Sequence, residues 1–190
     1  VNIGNRNFLS NHLKTHILFM SPILFIGLDA ADWELLSLKL AAGKLPHISN
    51  MMTGGVSGPL RSISPLFSPT LWATIGTGKH AYEHGITGFT HTNHLGTSIR
   101  PYDRTARRSP AIWNMFSYYK KSSNIVGWWT TAPAEKIRGA MIDETFRIAH
   151  RPSHEPWEIP PRSLSPWSLS KIVAQDRIHP QRLSEALLRF

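Results

Sequence analysis

Seven residues, Ile23-Leu-Phe-Ile-Gly-Leu-Asp29, constrain this chain more than any other stretch. An apolar run this short, closed by an acid, reads as a strand covered on both faces. Strands covered on both faces belong to parallel sheets with helices packed on either side. The run is too short to cross a bilayer. Such a strand delivers the carboxylate of Asp29 to the C-terminal rim of its sheet, where open α/β folds place their ligands.

The following residues keep to that plan. Trp33, Leu36, Leu40 and Ala41 recur at helical spacing, and Gly43 closes the helix. A second short helix is expected from Leu45-Pro46 to Gly54-Gly55, with Ile48 and Met51 or Met52 turned inward. Val56 to Ile63 reads as a second strand. Ser68-Pro69 opens a helix that ends at Gly78, because proline lacks a donor that the first turn leaves orphaned anyway. Ser109-Pro110 opens another through Lys121, with Ile112, Trp113, Phe116 and Tyr119 on one stripe, and Asn124 to Trp129 forms a third strand. The alternation predicts an α/β fold, a predominantly parallel sheet with helices on both faces, over residues 20–150. Residues 151–190 read as a proline-rich connector and the start of a helix. Its apolar face, with Leu183, Ala186, Leu187 and Phe190, stops without a terminator, as in a chain cut short of its domain.

Residues 1–19 are polar through Lys14 and are expected to be disordered or a mis-assigned leader, with Met20 as the start and a cytoplasmic location then favoured. A signal peptide is the rival, with Arg6 and Lys14 ahead of Ile17 to Leu28 and Ala30-Ala31 near its cleavage site. Pro22 inside the apolar run and Asp29 beside the small residues count against it.

The chain has no Cys, which excludes disulfides, thiolate nucleophiles and Cys-ligated zinc; any metal must rest on Asp, Glu, His or hydroxyl donors. Basic residues outnumber acidic ones 21 to 12, and the excess concentrates in residues 61–130, with Arg100, Arg104, Arg107, Arg108, Lys120 and Lys121. A solvated basic face is the ordinary explanation; the functional one is attraction for a phosphate-bearing substrate or for nucleic acid. The charges form no recognised nucleic-acid motif, so specific nucleic-acid binding is not expected.

Ser68 is the candidate nucleophile. A hydroxyl at a helix N-terminus sits beside free N–H groups and the positive end of the dipole, and both favour an incoming anion. A cation touching that oxygen would make its alkoxide accessible, and Asp29 would be one of the groups holding the cation. Ser before Pro is also an ordinary helix cap, and Asp after a strand often caps the next helix.

In combination these residues resemble a known family. Gly27-Leu-Asp29, Ser68-Pro-Thr-Leu-Trp-Ala-Thr-Ile-Gly-Thr-Gly78, His84-Gly-Ile-Thr-Gly-Phe89 and Val126-Gly-Trp-Trp-Thr-Thr-Ala-Pro-Ala-Glu135 are similar to segments of the type I phosphodiesterase/nucleotide pyrophosphatase family, within the alkaline phosphatase superfamily. The resemblance implies an alkaline-phosphatase-like α/β sandwich, incomplete here, that cleaves small phosphate esters. It implies two divalent metal ions, usually zinc, with Asp29 on the first metal-binding aspartate and Ser68 on the nucleophile that also touches a metal. Thr70 is the runner-up, one turn of counting error away. His84 falls in a His-Gly-Ile turn read as structural. Ala30 stands where many members have Gly. No Asp-His dipeptide occurs, although the family draws further ligands from such a pair. Asp143, Glu144, His150 and His154 offer substitutes only as exposed loop residues. The expectation is therefore the N-terminal part of a metal-dependent hydrolase, inactive by itself. A formylglycine sulfatase is excluded because Ser68 is followed by Pro69-Thr-Leu-Trp. The rival of another class is a non-catalytic α/β module that binds anions or partners through its basic middle third.

Overall fold

The computed structural model describes residues 22–92, 95–148 and 154–182. The chain divides into two units between Asp32 and Trp33. In the first, residues 22–28 are extended and a turn follows at Asp29-Ala30, with Ala30 at φ 56°. The buried strand expected at Ile23–Asp29 does not form. Ile23 is 89% exposed, and Leu24, Phe25, Ile26 and Leu28 are exposed as well. An extended segment becomes a strand only when a neighbour completes its hydrogen-bond ladder, and the described residues of this unit supply none.

The second unit opens with two helices, α1 (Trp33–Ala41) and α2 (Pro46–Gly54). Gly43, at φ 67°, turns the chain between them, as the glycine spacing predicts. Neither helix buries a residue. Val56 to Ile63 is irregular rather than a strand, and Val56 is fully exposed. Gly58 and Pro59 explain this, since proline cannot donate to a ladder and glycine gives it nothing to pack.

Next come α3 (Ser68–Thr77), the single turn α4 (Ala81–His84), the antiparallel pair β1 (Thr90–Thr92) and β2 (Ile99–Pro101), and α5 (Ile112–Tyr118). Then β3 (Ser123–Val126) pairs in parallel with β4 (Gly139–Ile142), and β4 pairs antiparallel with β5 (Leu164–Ser165). A short turn of helix, α6, spans Ser170–Val173. The fold is mixed α/β, as expected, but the predominantly parallel sheet is not what the described residues form. Their sheets are small, and β3–β4 is the one parallel pair among them. No helix among them is long and apolar enough to cross a membrane.

The β3–β4 crossover, residues 127–138, carries no helix. Irregular backbone near a core needs other acceptors for its N–H groups, and neighbouring carboxylates supply them. Glu144 accepts from the N–H groups of Thr131 and Ala132, both at 3.0 Å, and from the Thr131 hydroxyl at 2.7 Å. Asp143 accepts from Ala134 N–H at 3.0 Å. Gly139 lets the two strands approach, because a Cβ there would lie 2.1 Å from the Ser123 carbonyl oxygen. Ala111, Trp113 and Met141 form the core, with Ile125, Trp128, Ala134 and Ile137 packed against it.

Candidate active site

The site expected from the sequence rests on the N-terminus of α3. Phe67 is the cap residue, in extended backbone, and its carbonyl accepts from Leu71 N–H at 2.9 Å. Ser68 is therefore the first helical residue and not the cap, with Pro69 behind it in the first turn. Phe67 offers no side-chain cap, and no acidic residue lies in the first turn. The positive end of the helix dipole is thus left without a neutralising carboxylate of its own, a setting that favours an anion. Ser68 is half-buried, whereas Pro69 and Thr70 are buried.

The other end of α3 is tied down. Gly78 terminates it in the left-handed region, φ 66°, donating to Thr74 O at 2.8 Å. The Thr77 hydroxyl donates to Ala73 O at 2.7 Å. Gly76 lies so close to Trp113 and Trp128 that a Cβ would stand 3.3 Å from either indole. Trp128 also donates from Nε1 to Trp72 O at 3.1 Å. These contacts fix the axis of α3 against the core and so fix where Ser68 stands.

His84 completes the clamp. It is fully buried. Its Nδ1 accepts from Ile86 N–H at 3.0 Å, so the ring proton sits on Nε2, which donates to the Thr74 hydroxyl at 3.0 Å. Burial pushes its pKa below the usual histidine range, which keeps the ring neutral. The structural role read from the His-Gly-Ile turn is the role its geometry gives it.

Asp29, the candidate metal ligand, lies exposed in the turn that follows the extended segment of the first unit. Asp143 and Glu144 correct the sequence reading. They are not exposed loop residues. Asp143 is fully buried, accepts from the N–H and hydroxyl of Thr145 as well as from Ala134, and has its pKa raised by burial. Burial likewise raises the pKa of Glu144. Both hold the crossover in place. His154 is exposed, and His150 lies outside the described residues.

Sequence reasoning gave no role to Glu135, which organises the interior. It accepts from Arg107 at 2.8 Å, from Trp113 Nε1 and from Asn114 at 3.0 Å. Burial alone would raise its pKa, but these donors bring it below the usual carboxylate value. Arg107 therefore serves the core, and Arg104 donates to Pro133 O at 2.8 Å, so two cations of the basic middle third act inside the fold. An acid placed 28 residues from its arginine carries no local signal.

A family profile described as type I phosphodiesterase / nucleotide pyrophosphatase matches residues 23–189. The chain belongs to that family. No curated protein and no solved structure matches it. Membership in the type I phosphodiesterase/nucleotide pyrophosphatase family makes this a domain of the phosphate-ester hydrolase kind, and the family is generally metal-dependent. The donors described here do not make up such a metal centre. A divalent ion takes about four to six donors, and among the described residues no three His, Asp or Glu side chains gather where they could hold one.

Proposed function

We propose that this domain acts on small phosphate esters through Ser68, with Thr70 as the alternative nucleophile. The observation that carries the reading is the α3 N-terminus: a half-buried hydroxyl on the first helical residue, no acid in the first turn, and a helix clamped at its far end. Ser68 Oγ attacks phosphorus, an alcohol leaves from the opposite side, and the phosphoryl group is transferred to the serine oxygen. Water then releases the phosphate and restores the hydroxyl. Asp29 and Ser68 are the metal donors in this reading, two divalent ions, zinc in the first instance, are its cofactors, and the remaining donors come from residues other than those described. With only these two donors, turnover of phosphate esters is expected to be slow.

The test is incubation with bis-p-nitrophenyl phosphate and added zinc, followed by release of nitrophenolate and by mass spectrometry of the protein. The expected result is slow or absent turnover with a p-nitrophenylphosphoryl adduct on Ser68, left after one nitrophenolate departs, that Ser68→Ala lacks. An adduct on Thr70 would move the nucleophile. Robust turnover lost in Ser68→Ala would show that this chain needs no further donors. A folded protein that forms no adduct and copurifies with no zinc would favour the second reading, a non-catalytic anion-binding module.

A further inference from the structure

The first turn of α3 lacks a donor and carries an unused one. A helix N-terminus ordinarily offers an anion the N–H groups of its first three residues. Here the second of them is Pro69, which has no N–H to give. The third is Thr70, 2% exposed, and its Oγ1 is buried with no hydrogen-bond partner. The other threonine hydroxyls of this helix are paired, that of Thr77 with the Ala73 carbonyl one turn back and that of Thr74 with His84. That of Thr70 is not. Side chains on a helix lean toward its N-terminus, so the side chain of a third residue leans toward the opening turn. Buried polar groups are nearly always paired, and an orphan in such a place points to a partner that arrives with a ligand.

We propose that Thr70 is an anion-binding residue: its hydroxyl supplies to a phosphate at the α3 N-terminus the hydrogen bond that Pro69 withholds. This deepens the reading above and rests on the same helix end, but it gives Thr70 a donor's role rather than a nucleophile's. Attack on phosphorus needs an open line behind the oxygen, which a buried hydroxyl lacks, whereas donation needs only that one phosphate oxygen reach it as the neighbouring side chains give way.

Titration of the full chain with inorganic phosphate, followed by calorimetry and by amide chemical shifts of Ser68 and Thr70, tests this without any turnover. Thr70→Val keeps the shape and removes the hydroxyl; it should weaken phosphate binding about fivefold or more, the weight of one hydrogen bond, with no fall in melting temperature. Thr70→Ser should bind as the unaltered chain does. Adding Pro69→Ala to Thr70→Val restores an N–H and should recover most of the loss. Should Thr70→Val not fold, the comparison of Thr70→Ser with Thr70→Ala carries the same contrast. Equal binding by the hydroxyl-bearing and hydroxyl-lacking variants overturns the proposal, as does an unaltered chain that binds no phosphate at millimolar concentration. Ser68→Ala separates the two readings: phosphate binding that survives it and fails in Thr70→Val upholds Thr70 even if no adduct on Ser68 ever forms.

Discussion

Two stretches of the second unit, residues 33–66 and residues 68–146, are equally rich in local signals and differ in what those signals secure. The first contains α1 and α2, started and stopped by Pro46, Gly43 and Gly55, yet neither helix buries a side chain. The second contains helices of similar or shorter length, and it holds Trp113, Met141, Ile86, His84 and Asp143 out of solvent. The difference lies in polar groups that act across the chain. Residues 68–146 have a histidine satisfied at both nitrogens, an acid gathering three donors, and two more acids pairing with an irregular crossover. Local signals make a helix; only groups that meet across the chain give it somewhere to pack.

The contrast is most exposed at Glu135. Glu135→Ala leaves Arg107 buried without its acid and Trp113 and Asn114 without an acceptor, so it should cost about 3–5 kcal/mol in denaturant unfolding. A loss below about 1 kcal/mol would mean that this network does not set the two stretches apart. Because its donors hold the Glu135 pKa below the usual value, its contribution is present above the ordinary carboxylate range and fades as pH falls through the depressed folded value.

His84 comes next. His84→Leu orphans Ile86 N–H and the Thr74 hydroxyl, and a loss of about 1–3 kcal/mol is expected for each buried group left unpaired. The pKa of His84 is lowered in the fold, so the unfolded chain takes up the proton first. Stability should fall as pH drops below the ordinary histidine value, and His84→Leu should lose that slope between pH 7 and 5. A parallel pH profile in the variant would show that the ring is not held neutral.

Glu144 runs the other way. Its folded pKa is raised, so stability should decline as pH climbs from the unfolded carboxylate value through the raised folded one. Glu144→Gln should flatten that decline while retaining an acceptor for Thr131. Urea unfolding at several pH values reads the slope, and an unchanged profile would remove Glu144 from the account.

The smallest effect belongs to the first stretch. Leu38 on α1 is 70% exposed, and Leu38→Ala should change stability by no more than about 0.5 kcal/mol. A loss as large as that of a core residue would erase the contrast between the two stretches.

Much of this was legible in the chain itself. The helices at Trp33, Pro46 and Ser68, and the strand at Asn124, carry periodicity, prolines and glycines that act within a turn or two. The structural part played by His84 was legible from the resemblance of its His-Gly-Ile turn, since a loop histidine is more often a hydrogen-bonded anchor than a ligand. Asp143 was not, because an acid beside Glu144 in a polar stretch looks solvated until Ala134, nine residues earlier, folds back onto it. The strands at Ile23 and Val56 were overread. An apolar run states that burial is wanted, and it does not supply the neighbouring ladder that makes a strand.

The sequence by itself determined where helices begin and end, that these 190 residues carry no thiol, and which family the chain belongs to. Those properties depend on residues within a few positions of one another or on their order along the chain. Only the tertiary structure decided that Ser68 is a first-turn residue and not a cap, that Thr70 holds an unpartnered hydroxyl beside it, and that Glu135 gathers Arg107, Trp113 and Asn114. Burial and hydrogen-bond partners are set by what lies nearby in space, and in this chain the partners that matter stand tens of residues apart.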